Sequence, residues 1–352
     1  MIVTPAPAYA LGVDIGGTKT LAALVDDSGR TTGAFEVPTP AADGPAAILD
    51  TAIRLAGRAL AALPAGARPI DAIGIGSAGV IDSETGTVLS ATTSLTGWAG
   101  TDIRVAFQRA FPRLGVTVVN DVQAFTWAET VHGAAAGSTL VLGVMVGTGI
   151  GGGLVIDGRL HNGAHSAAGH LGHIVVAGAE GLPCPCGQSG HLESIASGSA
   201  MTQAYNLARV SADGSADGSA DDLRAVADAA ARGDALARGI LEAGAEAVGC
   251  AIGSVANLID PELIVIGGGV TGLGAGWLDR VRRAAARTTI PVIGTLRIES
   301  GLLGAAAVNI GAARLARPTP VRPAPARPSP ARPDSGPLVP AHAGPSLGSG
   351  TP

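Results

Sequence analysis

Residues 9–25, YALGVDIGGTKTLAALV, decide the fold class. An apolar run leads to Asp14, a pair of glycines follows, and a second apolar run begins after Lys19. Each run has the length and composition of a β-strand, so the segment predicts two strands joined by a tight glycine turn. In a dinucleotide-binding βαβ unit the glycine turn leads directly into a helix. Here it leads into a second strand, which argues against a Rossmann fold.

The same pattern recurs in the other half of the chain. Residues 138–160, STLVLGVMVGTGIGGGLVIDGRL, again predict strand, glycine turn and strand, and Asp157-Gly158 is a hairpin turn signal. A further predicted strand, in PELIVIGGGV at residues 261–270, ends in three glycines. Two separate hairpins followed by a glycine-ended strand predict two α/β lobes that close on a nucleotide.

The composition excludes several classes of protein. The 352 residues, of which 47% are hydrophobic and 14% charged, can bury a large core in two domains or one two-lobed fold. A net charge of -5 offers no basic field for nucleic acid. No segment reaches about eighteen uninterrupted apolar residues, MIVTPAPAYA lacks a signal-peptide pattern, and three cysteines provide no disulfide framework. We therefore expect a cytoplasmic protein without nucleic-acid or membrane partners.

Two segments have compositions that do not favour a packed structure. Residues 317–352 are rich in proline, which removes amide donors, and they carry few large apolar groups to offset the entropy of ordering. We expect a disordered tail there. Residues 211–222, SADGSADGSADD, repeat a short polar unit and predict a solvated loop between two helices.

The first glycine turn carries groups that suit a polyphosphate. Gly16 and Gly17 let the backbone approach a ligand, and amides of the turn and the Thr18 hydroxyl can bind phosphate oxygens. Lys19, the only lysine in the chain, supplies positive charge, and Asp14 can hold Mg²⁺ directly or through water. The alternative is that a glycine hairpin with a polar flank is only a turn. The matching turn in the other half of the chain favours the phosphate interpretation.

The dipeptide Asn120-Asp121 follows a predicted strand, VTVV, and precedes a helical pattern, AFTWAETVHGAA. Strand ends are where α/β proteins present catalytic side chains to a crevice. Phosphoryl transfer to a hydroxyl uses a carboxylate that orients the acceptor or takes its proton, and Asp121 is the candidate. The alternative is that Asp121 only caps the helix.

A short segment, GHLGHIVVAGAEGLPCPCGQSGHLE at 169–193, contains the potential metal ligands His173, Cys184, Cys186 and His191. Two thiolates and two imidazoles complete a tetrahedral zinc site. Since four protein ligands leave no position for a reactive water, the predicted zinc is structural. The alternative is that the cysteines are small buried side chains and the histidines are ordinary surface or core residues.

Together these motifs resemble those of the ROK family of sugar kinases and sugar-responsive repressors. DIGGTKT, GIGSAGVID, NDVQAFTWAE, VGTGIGGG, GHLGH, CPCGQSGHLE and VIGGGV occur in the family's order between about Leu11 and Ala316. The resemblance implies a two-lobed, actin-like (ribonuclease H-like) α/β ATPase fold with the active site in the cleft between the lobes. It also implies a homodimer that transfers the γ-phosphate of ATP, with Mg²⁺, to a sugar hydroxyl.

The family pattern divides the chain and assigns its residues. A small lobe is expected at 1–121, completed by a C-terminal helix at 301–316, and a large lobe with the zinc loop at 122–300. Asp121 is the implied base. The implied nucleotide-binding residues are Asp14, Gly16, Gly17, Thr18, Lys19, Gly147, Thr148, Gly149, Gly151, Gly267, Gly268 and Gly269. The implied sugar-binding residues are Gly79, Asn120, His170, His173 and Glu193.

Three departures from the family pattern bear on the expected function. His191 stands where the zinc segment usually has a third cysteine, and imidazole is an acceptable replacement ligand. Ser94, in TSLTGWAG, stands where asparagine is common, which weakens the transfer of a sugar contact to that loop. His170 stands where glucokinase-like members carry glutamate.

The resulting His-Leu-Gly-His pattern resembles that of bacterial N-acetylmannosamine kinases. It implies phosphorylation of the 6-hydroxyl of N-acetylmannosamine, in sialic-acid catabolism. The alternative is a glucokinase or another hexose or N-acetylhexosamine kinase of the family. A repressor would add an N-terminal helix-turn-helix, and we expect none because the first predicted strand begins near Tyr9.

Overall fold

The computed structural model describes residues 7–92, 94–213 and 219–317. The predicted tail from Pro318 onward, and residues 214–218 of the predicted polar loop, lie outside this part of the chain. The strands are β1 (Tyr9–Ile15), β2 (Lys19–Asp26), β3 (Thr31–Pro38), β4 (Ala72–Ser77), β5 (Val80–Ile81), β6 (Val88–Ser90), β7 (Gly115–Asn120), β8 (Val141–Val146), β9 (Ile150–Ile156), β10 (Arg159–His161), β11 (Leu263–Gly267) and β12 (Ile298–Ser300).

Helices lie between the strands, and one lies on each side of the polar loop, as the sequence pattern predicts. They are α1 (Pro45–Ala61), α2 (Ile103–Ala110), α3 (Asp121–His132), α4 (Glu193–Ala196), α5 (Gly198–Asp213), α6 (Leu223–Ala231), α7 (Ala235–Ile259), α8 (Ala275–Thr288) and α9 (Ala307–Ala316).

Two five-stranded sheets repeat one topology. The strand order is β3-β2-β1-β4-β7 in the first sheet and β10-β9-β8-β11-β12 in the second. In each sheet the first three strands pair antiparallel and the last three pair parallel. The two predicted hairpins are β1–β2, where Ile15 pairs with Thr20, and β8–β9, where Val146 pairs with Ile150. The prediction of two matching α/β units is confirmed.

Among the described residues, three of the four buried apolar clusters pack against the sheets, and the fourth joins α5, α6 and α7 around Tyr205 and Val226. One, which includes Ile48, lies between the first sheet and helices α1 and α2. Another, which includes Ile252, lies between the second sheet and helices α7 and α8. The third combines Phe125 of α3 and Ile310 of α9 with strand residues of both sheets. Helices α3 and α9 therefore form the packed connection between the two sheets.

Glycines let these two helices reach backbone contact with their neighbours. A Cβ atom on Gly74 of β4 would overlap the carbonyl group of Ala312 in α9. A Cβ atom on Gly311 of α9 would likewise overlap the carbonyl group of Ala124 in α3. No side chain fits between these backbones, so the spacing of the helices is fixed by glycine.

Helix α7 is long and apolar enough to cross a membrane, by length and composition alone. Its side chains Val248 and Ile252 are fully buried, and the helix packs along α8. These are the contacts of a core helix.

We expect Gly74→Ala to lower the free energy of unfolding by about 3 kcal/mol, because a methyl group fits against Ala312 only if α9 moves. Gly57→Ala is the matched control. Gly57 lies inside α1 with open space around it, so alanine should stabilise the protein by roughly 0.5–1 kcal/mol. Urea denaturation measures both values, and equal effects of the two substitutions would contradict the close packing.

Candidate active site

Three parallel strands of the first sheet end at one edge and carry the predicted catalytic residues there. β1 pairs with β4, and β4 with β7, in a register that puts Asp14 opposite Gly76 and Ser77 opposite Asn120. Asp121 follows directly as the first residue of α3. The sheet therefore brings Asp14 and Asp121, which are far apart in sequence, to the same edge.

The two carboxyl groups lie in an environment that disfavours their charged forms. Burial and the nearby Asp121 carboxylate raise the pKa of Asp14 to about 8, against the opposite effect of the Lys19 ammonium. Burial also raises the pKa of Asp121, although hydrogen bonds from Val122 and Asn120 oppose it. Carboxyl groups perturbed by burial and by each other are common at functional sites.

The cap of helix α3 is Asn120 and not Asp121. Asn120 Oδ1 accepts hydrogen bonds from the N–H groups of Val122 at 2.9 Å and Gln123 at 3.1 Å, and the Gln123 side chain accepts from the Asn120 N–H, which completes a capping box. Asp121 Oδ1 accepts from the Val122 N–H at 2.9 Å. Asp121 Oδ2 has no hydrogen-bond partner among the described residues. The structure thus leaves one Asp121 oxygen for a ligand.

Asn120 also holds the neighbouring strand end. Its Nδ2 donates to the Gly79 carbonyl at 2.9 Å and to Asp121 Oδ1 at 2.8 Å. Both amide hydrogens and both acceptor positions of Asn120 are therefore in use within the protein. The structure supports a role for Asn120 in positioning Gly79 and Asp121, and its sugar contact stays a prediction.

The first glycine turn is held from β3. The Gly16 N–H donates to the Lys19 carbonyl at 3.1 Å, which closes the turn. Thr39 Oγ1 donates to the Gly16 carbonyl at 2.8 Å, and the Thr39 N–H donates to the Thr18 carbonyl at 3.0 Å. The role of Thr39 in holding the turn has no signal in the sequence, since a hydroxyl residue after a strand is a common and unspecific pattern.

Two residues of this turn contact side chains outside it. The Lys19 ammonium, predicted to face phosphate, lies 2.8 Å from the Glu36 carboxylate, and both side chains are about half exposed. A Cβ atom on Gly17 would lie 3.3 Å from the Ser94 Cβ. Ser94, the departure from the family pattern in the sugar loop, therefore packs against the first phosphate turn.

The second glycine turn opens onto a cavity of about 1180 Å³. The Gly147 N–H donates to the Gly149 carbonyl at 2.9 Å, and the Gly198 N–H, at the start of α5, donates to the Gly147 carbonyl at 2.7 Å. Ser199 Oγ donates to the Thr148 carbonyl at 2.8 Å. The N-terminus of α5 therefore borders the turn, and a helix N-terminus favours an anion such as phosphate.

The walls of this cavity come from α5, α6 and the segment after β11. Leu207 and Leu273 offer apolar surface, and Gln203 and Arg224 offer hydrogen-bond donors. The cavity is large enough for a nucleotide whose phosphates reach the glycine turn. These wall residues carry no signal in the sequence because they lie mostly on helices with no motif of their own.

Several of the predicted nucleotide-site glycines serve packing. A Cβ atom on Gly267 would lie 2.6 Å from the Phe125 ring, and Gly151 faces helix α3. Gly268 has a φ of 88°, a conformation that other residues rarely adopt. Of Gly267, Gly268 and Gly269, it is Gly269 that lines the cavity.

Three of the predicted sugar-binding residues, His170, His173 and Glu193, have defined neighbours in the structure. His170 Nδ1 lies 3.1 Å from the Ala167 carbonyl oxygen, so Nδ1 is the donor. The rings of His170 and His173 stack with centroids 6.2 Å apart, and burial followed by the charge of His173 lowers the pKa of His170. Glu193 is buried, and its Oε2 accepts from the Ile150 N–H at 2.7 Å.

The four predicted metal ligands lie together. One ligand atom from each of His173, Cys184, Cys186 and His191 lies within 4.8 Å of the other three. Cys184 Sγ is 3.5 Å from His173 Nδ1, and Cys186 Sγ is 3.3 Å from His191 Nδ1. These spacings and donor types fit a tetrahedral metal ion. Burial raises the pKa of the Cys184 thiol, so a thiolate there would depend on a bound cation.

Comparisons with known proteins agree with this arrangement. The ROK family model matches residues 10–318. The N-acetylmannosamine kinase of Salmonella typhimurium is 36% identical over 310 residues, covering 86% of this chain and 98% of that protein. A glucokinase of Halalkalibacterium halodurans is 30% identical over 316 residues, covering 84% and 93%. The crystal structure of a ROK family glucokinase from Streptomyces griseus with glucose and AMPPNP is 33% identical, with a TM-score of 0.74 and coverage of 88% and 99%.

The fold is therefore the two-lobed, actin-like α/β fold of sugar kinases, with its cleft between the lobes, as the sequence motifs predict. The chain belongs to the ROK family. It is a sugar kinase, and its relatives include both N-acetylmannosamine kinases and glucokinases.

We expect the Cys/His cluster to bind one metal ion per chain, because its four ligand atoms already lie at coordination spacing. Cys186→Ser should reduce the bound metal to less than about 0.2 ions per chain, since it replaces a thiolate by a weak ligand. Cys250→Ser, which changes a cysteine of α7 outside the cluster, is the control and should keep the metal. Elemental analysis of protein purified without added metal measures the metal content per chain. Equal metal content in both variants would rule out the cluster as the metal site.

Proposed function

We propose that the protein transfers the γ-phosphoryl group of ATP to the 6-hydroxyl group of N-acetylmannosamine. The observation that carries this proposal is the position and hydrogen bonding of His170. The 36% identity to the Salmonella typhimurium N-acetylmannosamine kinase supports it.

The hydrogen bond from His170 Nδ1 to the Ala167 carbonyl leaves Nε2 as an acceptor on the neutral ring. N-acetylmannosamine carries an axial acetamido group at C2, and the amide N–H is a hydrogen-bond donor. A neutral imidazole acceptor suits this N–H and introduces no negative charge. A glutamate at the same position, as in glucokinase-like members, is an anion that suits an equatorial hydroxyl.

The residues at the sheet edge supply the chemistry of transfer in this proposal. Asp121, through its free Oδ2, orients the 6-hydroxyl of the sugar and accepts its proton. Mg²⁺ bound at Asp14 would neutralise charge on the donor phosphates. The two glycine turns present N–H groups to those phosphates, and Lys19 exchanges Glu36 for a phosphate oxygen. AMPPNP in the Streptomyces griseus glucokinase supports ATP as the donor.

The cysteine and histidine cluster holds zinc in this proposal. Four protein ligands close the site, so the metal orders the segment that carries His170 and Glu193 and takes no part in the transfer. In this proposal, the sugar is also contacted by Gly79, His173 and Glu193. The protein is a homodimer and acts in the cytoplasm.

A glucokinase is the second candidate. The Halalkalibacterium halodurans and Streptomyces griseus relatives both carry that name, at 30% and 33% identity, and the latter is bound to glucose. The two candidates share the donor site and Asp121, so only the sugar separates them.

A coupled ADP-release assay over N-acetylmannosamine, N-acetylglucosamine, glucose and mannose tests the proposal. We expect the highest kcat/KM for N-acetylmannosamine. A higher value for glucose would replace the proposal by the glucokinase alternative.

Asp121→Asn is expected to keep the fold and sugar binding but to reduce turnover at least ~10²-fold, because the amide cannot accept the proton of the sugar hydroxyl. The amide oxygen of the variant can still accept the Val122 N–H, so the start of α3 is preserved. Asp102→Asn, at the exposed start of α2, is the control and should leave turnover unchanged. Near-normal turnover of Asp121→Asn under steady-state assay would remove Asp121 from the mechanism.

His170→Glu is expected to lower kcat/KM for N-acetylmannosamine ~10-fold or more, about 1.4 kcal/mol of transition-state binding, while glucose is affected less or improves. The reason is that the substitution replaces a neutral acceptor by an anion at the position proposed to face the acetamido group. His161→Glu, on the exposed strand β10, controls for the added charge and should change neither value. Steady-state kinetics on both sugars measures the effect, and equal losses for both sugars would defeat the assignment of His170 to specificity.

A further inference from the structure

Glu193 connects the metal-ligand segment to the second phosphate turn. It is the first residue of α4, two positions after His191, and its side chain is only 6% exposed. Its Oε2 accepts a hydrogen bond of 2.7 Å from the N–H of Ile150. Ile150 is the first residue of β9, directly after the turn that lines the nucleotide-sized cavity. A buried carboxylate on the sugar side is therefore bonded to the backbone of the donor side.

The Glu193 carboxylate also contacts the turn itself. A Cβ atom on Gly149 would lie 2.6 Å from Glu193 Oε2, so the carboxylate lies directly against the turn. Gly172 of the His-Leu-Gly-His motif also packs so closely that a Cβ atom on it would overlap the Ile150 carbonyl oxygen. The peptide groups on both sides of Ile150 are therefore held by the segment that carries the sugar-side histidines.

The hydrogen bond is of a strong kind. An ionised acceptor forms shorter and stronger hydrogen bonds than a neutral one, and burial removes competition from water. No arginine or lysine of the described residues forms an ion pair with Glu193, and its carboxylate accepts the hydrogen bond from the Ile150 N–H. The contact is thus costly to break for both partners.

We propose that Glu193 is a positioning residue for the phosphate donor. Its carboxylate holds the turn Gly147–Gly149 in the shape that receives the phosphates of a nucleoside triphosphate. The segment with the histidines and cysteines thereby sets the donor site as well as the sugar site. This goes beyond the proposed function, in which Glu193 only contacts the sugar.

Nucleotide binding without sugar separates the two roles. Titration calorimetry with Mg²⁺-AMPPNP and no sugar should show at least ~10-fold weaker binding for Glu193→Ala, since the turn loses its support. Glu193→Gln should bind the nucleotide within ~3-fold of the unaltered protein, because the amide oxygen still accepts the Ile150 N–H. Ser194→Ala, the next residue in α4, breaks only the bond to the Pro183 carbonyl and should leave nucleotide affinity unchanged.

A shorter side chain keeps the test decisive if the alanine variant does not fold. Glu193→Asp retains the charge beside the metal ligands but withdraws it from Ile150, so it should weaken nucleotide binding as alanine does. Nucleotide affinity equal to that of the unaltered protein in the alanine or aspartate variant would overturn the proposal. A loss in the glutamine variant as large as in the alanine variant would also overturn it, because the hydrogen bond would then not be the cause.

The same titrations test the positioning role of Glu193 independently of which sugar is the substrate. A failure of the unaltered protein to bind Mg²⁺-AMPPNP would contradict the ATP-dependent function. Binding by the unaltered protein that is indifferent to Glu193 would contradict the positioning role alone.

Discussion

The close approach of helices α3 and α9 to the glycines of both sheets is the constraint on which the rest of the structure depends. Gly74 brings β4 against the backbone of α9, and Gly143 brings β8 against Thr126 of α3. Because α3 begins at Asp121, the same packing that joins the sheets also fixes where the candidate base lies. A larger residue at these glycines would displace the helix and the carboxylate together.

The other end of α3 is anchored by a contact that no local pattern indicates. Glu129 is fully buried, and its carboxylate accepts N–H bonds from Leu302 at 3.1 Å and Leu303 at 2.9 Å, in the segment that leads into α9. It also accepts from the Ala134 N–H at 2.8 Å. Helix α3 is therefore fixed at both termini, by Asn120 at the first and Glu129 at the second.

The sequence predicted those features that depend on short-range pattern. Alternating apolar runs and glycine turns identify both hairpins, and clustered ligand types identify His173, Cys184, Cys186 and His191, which the fold brings together. Features that depend on tertiary contacts were missed. The cavity walls on α5 and α6 and the bond between Glu193 and Ile150 join residues whose own neighbourhoods in sequence carry no signal. Asn120, expected to contact sugar, uses its hydrogen bonds to cap α3 and hold Gly79 because both partners lie within reach in the folded sheet.

The most direct test of the central claim is a crystal structure of the protein with N-acetylmannosamine and Mg²⁺-AMPPNP. The account predicts the sugar 6-oxygen within hydrogen-bond distance of the Asp121 carboxylate and in line with the γ-phosphate of the nucleotide. It also predicts the acetamido N–H at His170 Nε2 and the donor phosphates at the turn Gly147–Gly149. A sugar whose 6-oxygen faces away from Asp121, or whose acetamido group lies far from His170, would contradict it.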